Sequence, residues 1–139
     1  MLTIGRLSLL FVALLLTGCS NNTKKLVCTQ NLTGVDVKMI MDYDSKDNLT
    51  YVGFEEILDL SVYSDEEIET LKSQDYCPSV KESVGELGDA FKNCTQDISN
   101  KKLTLKGEFS IDKLPSNHDI RSYEKAVEIL EEEGYKCEK

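Results

Sequence analysis

Basic side chains are scarce in this 139-residue chain: 16 Lys and Arg stand against 25 Asp and Glu, a formal charge of -9 with the lone histidine neutral. So acidic a body repels the phosphates of DNA and RNA, which argues against a nucleic-acid partner. Histidine occurs once, so a serine-type hydrolase would have His118 as its only base. That residue lies in Pro115-Ser116-Asn117-His118-Asp119, a composition typical of surface loops and helix entries, and no catalytic residue is assigned. Trp is missing, the Tyr and Phe are scattered, and no glycine-rich phosphate loop occurs. No two cysteines beyond residue 19 have the close spacing of a zinc knuckle, about two to four residues, so no metal and no cofactor is expected. What remains is 40% hydrophobic and 29% charged, close to the globular average and long enough for one domain.

A long apolar run is also lacking. Residues 7–16, Leu-Ser-Leu-Leu-Phe-Val-Ala-Leu-Leu-Leu, extend over about ten positions, whereas a bilayer needs about 20. Behind a start that carries only the amine and Arg6, this segment reads as a secretion signal. Leu16-Thr17-Gly18-Cys19 follows and resembles the bacterial lipobox, in which small residues let a membrane peptidase reach the bond before a cysteine whose thiolate takes a diacylglyceryl group. Cys19 is therefore the expected lipid attachment site. Acyl chains such as palmitate contribute about 0.8 kcal/mol per buried methylene, enough for stable anchoring without a spanning helix. The expected organisation is a cleaved signal peptide at residues 1–18, a lipid anchor and polar spacer at 19–25, and a single extracytoplasmic domain at 26–139. Its partner would be the membrane, through the lipid on Cys19, at the outer face of the cell membrane. Without residues 1–18 the charge balance is -10, since Arg6 is the only charged side chain among them.

Cys28, Cys77, Cys94 and Cys137 remain. An even number in an exported domain favours two disulfides, and four cysteines allow three connectivities. A faint repeat relates Cys28-Thr29-Gln30-Asn31-Leu32-Thr33 to Cys94-Thr95-Gln96-Asp97-Ile98-Ser99; as a literal duplication it would pair Cys28 with Cys77 and Cys94 with Cys137.

Hydropathy patterning predicts the elements. Leu26 to Gln30 forms a short first strand, and Val35, Val37, Met39, Met41 and Tyr43 alternate on one face of a second. The polar Asp44–Asn48 segment turns the chain into a return strand on which Val52, Phe54, Leu58, Leu60 and Val62 share a face interrupted by Glu56, with Gly53 as a candidate bulge. Ser64 and Glu67 have capping-box spacing at the start of a helix that ends before Pro78. Val80, Val84, Leu87 and Phe91 recur at helical spacing, although Gly85 and Gly88 weaken that helix. A second hairpin turns at Ser99-Asn100-Lys101 into Leu103, Leu105, Gly107, Phe109 and Ile111. Ile120, Tyr123, Val127 and Leu130 mark a last helix closed by Gly134. Hairpins without strict strand–helix alternation indicate an α+β fold, an antiparallel sheet of about five strands with two or three helices on one face.

From Leu26 onward the chain resembles the YehR-like family, small lipoproteins of low-GC Gram-positive bacteria. The resemblance lies in Leu26-Val27-Cys28-Thr29, the Asp44-Ser45-Lys46-Asp47-Asn48 turn, Ser64-Asp65-Glu66-Glu67-Ile68-Glu69, Leu103-Thr104-Leu105 and Glu133-Gly134-Tyr135-Lys136-Cys137. It implies the same α+β fold and a pairing of Cys28 with Cys137 and of Cys77 with Cys94. It implies no activity.

Other polar clusters carry little chemistry. Asp42, Asp44, Lys46, Asp47 and Asn48 fail the EF-hand pattern because Lys46 occupies a ligand position and Gly53 stands where the closing glutamate belongs. Asp65-Glu66-Glu67 and Glu131-Glu132-Glu133 fan around helices as solvated faces. The expected function is a non-enzymatic, lipid-anchored envelope domain, monomeric, that binds an envelope protein or small ligand. The alternatives are an accessory protein that captures a solute for a transporter, or an envelope enzyme built on paired carboxylates.

Overall fold

The computed structural model describes residues 22–139. The expected signal peptide at 1–18, the expected attachment site Cys19 and the start of the expected spacer lie outside the described residues. One sheet contains β1 (Lys24–Leu32), β2 (Val35–Tyr43), β3 (Leu49–Asp59), β4 (Phe91–Ser99), β5 (Lys102–Phe109) and β6 (Lys136–Glu138) in the order β4-β5-β3-β2-β1-β6. Every pairing is antiparallel. Helices α1 (Asp65–Lys72), α2 (Cys77–Ser83) and α3 (Tyr123–Glu132) pack on one face, completing an α+β domain with one strand more than the pattern predicts. None of the helices among the described residues is long and apolar enough to cross a membrane.

The alternation in β2 is what orients the sheet. Val35, Val37, Met39, Met41 and Tyr43 register with Leu32, Gln30, Cys28, Leu26 and Lys24 on β1, so Leu26 and Cys28 face the same side and are fully buried. Val52 and Phe54 on β3 and Leu103, Leu105 and Phe109 on β5 continue that face, and Ile68, Val80, Ala126, Val127 and Leu130 close it from the helices. Lys24 and Lys25 read as spacer by composition but are strand, paired with Tyr43 and Asp42. Pairing, not hydropathy, places them: Lys25 Nζ lies 3.8 Å from Asp42, and Lys24 Nζ lies 4.9 Å from the centroid of the Tyr123 ring.

The return strand is shorter than its pattern. After Asp59 its carboxylate accepts the Ser61 N–H at 2.9 Å, which turns the chain, so Leu60 is buried beyond the strand while Val62 is 87% exposed. Gly53 makes no bulge; its register is continuous on both sides, and the irregularity falls at Asp42/Tyr43. The turn from β4 to β5 has Asn100 and Lys101 both at positive φ, 52° and 56°, the two-residue geometry that matches strand twist.

Ser64 caps α1 reciprocally with Glu67: Ser64 Oγ accepts the Glu67 N–H at 3.3 Å and Glu67 Oε2 accepts the Ser64 N–H at 2.7 Å. These bonds hold the Glu67 carboxyl below its ordinary range. The stripe from Val80 to Phe91 does not form one helix. α2 stops at Ser83, a 3-10 turn spans Gly85–Leu87, and Phe91 opens β4. There its ring joins Phe54 and Phe109, with centroids 5.6 Å and 5.7 Å away, over Gly107; a Cβ at Gly107 would come within 2.4 Å of Phe91 and 2.6 Å of Phe54.

The segment between β5 and α3 contains only two short 3-10 turns, Ile111–Lys113 and Asp119–Arg121, and is held by polar contacts. Arg121 donates to the carbonyls of Pro115 at 2.8 Å, Ile111 at 2.9 Å and Leu114 at 2.8 Å. The buried Tyr43 hydroxyl donates to the Ile120 carbonyl at 2.6 Å, and burial pushes that phenol well above its ordinary value. Gly134, at φ +97°, ends α3, and the chain then returns beside β1 as β6. Three residues with one half-buried position carry too little periodicity to be read as a strand.

Candidate ligand site on the open face of the sheet

Strand alternation sends every second residue to the side without helices, and that side holds a depression of about 610 Å³. Its walls come from neighbouring strands in register. Lys136 on β6 faces Thr29 on β1, Thr29 faces Lys38 on β2, Lys38 faces Glu55 on β3, and Glu55 faces Lys106 on β5. Asn31, Asp36 and Ile57 form the next row. The sheet backbone is the floor, and Gly134 lies at the rim where α3 gives way to β6.

The charges in this row are unequally matched. Glu55, the more buried partner of its pair, lies 3.4 Å from Lys106 Nζ, and the Asp36 carboxylate accepts the Asn31 side-chain N–H. Lys38 is half-buried and Lys136 exposed, and among the described residues neither has a carboxylate within 4.0 Å. The depression thus contains two ammonium groups without ion-pair partners, the carboxylates of Glu55 and Asp36, the Thr29 hydroxyl, side-chain amides and the apolar side chain of Ile57.

Beneath it, on the helix side, Glu56 stands between Val37 and Leu105, and burial raises its carboxyl above the ordinary range. Tyr135 is raised as well, first by burial and then by the nearby charges of Glu133 and Glu56. Among the described residues no hydrogen bond to the Glu56 carboxylate is formed, and burial is the cause of its shift.

The residues singled out by sequence lie elsewhere. Cys28, 0% exposed, is bonded to Cys137 directly opposite it, with Cα atoms 4.0 Å apart. Cys77 at the start of α2 is bonded to Cys94 on β4, with Cα atoms 5.8 Å apart. The pairing that a literal duplication would produce is not adopted: Cys28 and Cys94 belong to strands on opposite sides of the sheet order, and each meets the cysteine nearest its own edge. His118 Nδ1 accepts the Ile120 N–H at 3.3 Å and caps a 3-10 turn. Asp44 is occupied by its own turn, accepting the N–H groups of Lys46 and Asn48 at 2.9 Å, which lowers its pKa. Among the described residues no three His, Cys, Asp or Glu side chains gather as a metal site requires. Cys19 lies outside the described residues.

None of the depression's open-face residues was a sequence candidate. A signal existed: Val27, Ile40 and Ile57 are apolar at positions that strict alternation sends to solvent, and all are half-buried. No family model, curated protein or solved structure matches the chain.

Proposed function

We propose that the chain is a lipid-anchored binding domain of the YehR-like kind, held at the extracytoplasmic face of the cell membrane by Cys19, with its open sheet face as the binding surface. The observation that carries this reading is the position of the depression. Lys24, where the tether meets the sheet, begins β1, and Asn31 at the depression lies seven residues farther, about 23 Å along the strand. The five residues from Cys19 to Lys24 reach at most about 17 Å. A surface-anchored domain would therefore present the depression on the end away from its anchor, open to a ligand from outside.

The two disulfides support an oxidising compartment. A volume near 610 Å³ is in the range of small-molecule sites, so capture of a solute for a transporter is the second reading of the same surface. The anchor is tested by Cys19→Ala in the intact cell. The variant should accumulate as uncleaved precursor or leave the membrane fraction; normal processing with unchanged retention would refute the anchored reading.

A further inference from the structure

We infer that the depression on the open face binds a phosphate group, gripped between Lys38 and Lys136 above Thr29. The inference rests on the open face being the binding surface and specifies what it takes. Three of the other sheet lysines have carboxylate neighbours, Lys24 with Asp47 at 4.0 Å, Lys25 with Asp42 at 3.8 Å and Lys106 with Glu55 at 3.4 Å, while Lys92 and Lys102 have none within 4.0 Å among the described residues. Of the unpaired sheet lysines only Lys38 and Lys136 line the depression, where Glu55 is matched by Lys106 and Asp36, hydrogen-bonded by the neutral Asn31 amide, keeps its charge. In a protein with 25 acids, a depression in which two unmatched ammonium groups stand against one unmatched carboxylate, Asp36, marks a place where an anion improves the local balance.

The spacing suits a phosphate. Lys136, Thr29 and Lys38 occupy consecutive strands in one register row, so their backbones are about 4.8 Å apart and the two lysines are about 10 Å apart. Both side chains are long enough to converge on a point above Thr29, where the hydroxyl donates a third hydrogen bond. A doubly charged phosphate satisfies both ammonium groups at once, and charge-assisted bonds of this kind are the stronger class. A carboxylate has a single charge for the pair. Ile57 and the Lys38 methylenes give an uncharged remainder of the ligand an apolar wall.

The test uses the full-length protein in uncharged detergent, with inorganic phosphate as the probe and acetate as the comparison. The amide resonances of Thr29, Lys38 and Lys136 should shift saturably with phosphate and less with acetate, and added salt should weaken the effect. Lys38→Gln and Lys136→Gln should each weaken phosphate binding by about tenfold or more, the double variant should abolish it, and Lys25→Gln should leave it unchanged. Neutral vesicles with and without a phosphomonoester lipid separate the sources: shifts of the Thr29, Lys38 and Lys136 resonances that need the doped lipid and vanish in the double variant identify a headgroup, and shifts with phosphate but not with doped vesicles identify a soluble phosphate ester. Absence of a saturable shift, or shifts that survive the double variant, overturns the proposal. The titration reads the depression whether or not Cys19 is acylated, so its failure is distinct from failure of the anchor.

Discussion

Breaking the bond between Cys28 and Cys137 should destabilise this domain more than breaking the one between Cys77 and Cys94, and chain entropy sets the difference. The first bridge closes a loop of 109 positions and the second a loop of 17. Loop closure of those lengths constrains the unfolded chain by about 4.7 and about 3 kcal/mol respectively. Small domains are stable by only about 5–15 kcal/mol, so Cys28→Ala with Cys137→Ala takes a large share of the total. The Cys28 site is fully buried, so lost packing adds to that cost. The assay is urea unfolding of the oxidised chain and of the two double-alanine variants. The long-loop variant should lose about 1.7 kcal/mol more and unfold with a larger m, because its unfolded state is freed to expand. Hydrogen exchange should locate the damage. β6 pairs only with Val27, Cys28 and Thr29, so those residues should lose protection while β2 and β3 retain theirs. Equal losses from the two variants, or a greater loss from the short loop, would refute the entropic argument.

Three further outcomes follow from the packing. Gly107→Ala drives a methyl into the Phe54 and Phe91 rings and should cost about 1–3 kcal/mol by thermal melting, whereas an unchanged melting temperature would mean that the aromatic trio moves freely. Tyr43→Phe leaves the Ile120 carbonyl without its buried donor and should cost about 1–3 kcal/mol in urea unfolding. Glu56 has a folded pKa above its unfolded one, so its charged form opposes folding at neutral pH and the penalty vanishes as pH falls through the folded value. Glu56→Gln should therefore exceed the parent in stability at pH 7, with the advantage fading toward about pH 4; an advantage independent of pH would show that burial of the charge is not its cause.

Much of the fold is legible in short stretches of chain. The Val35–Tyr43 alternation, the Asp44–Asn48 turn and the Ser64/Glu67 capping box all appear where local pattern puts them, because each depends on residues within a few positions. Errors arise where an element's partner lies far away. Lys24 and Lys25 are polar but paired, Phe91 is at helical spacing but completes an aromatic cluster with Phe54 and Phe109, and β6 exists because β1 has a free edge at Cys28.

By itself the sequence determined an even set of cysteines after residue 19, the hairpin order and the inward face of the sheet, since periodicity and turn chemistry are local properties. Only the tertiary structure decided which cysteines meet and that Lys136, Thr29 and Lys38 share one row. Those facts depend on the register between β1 and a strand more than 100 positions away, and no local pattern encodes a distance of that kind.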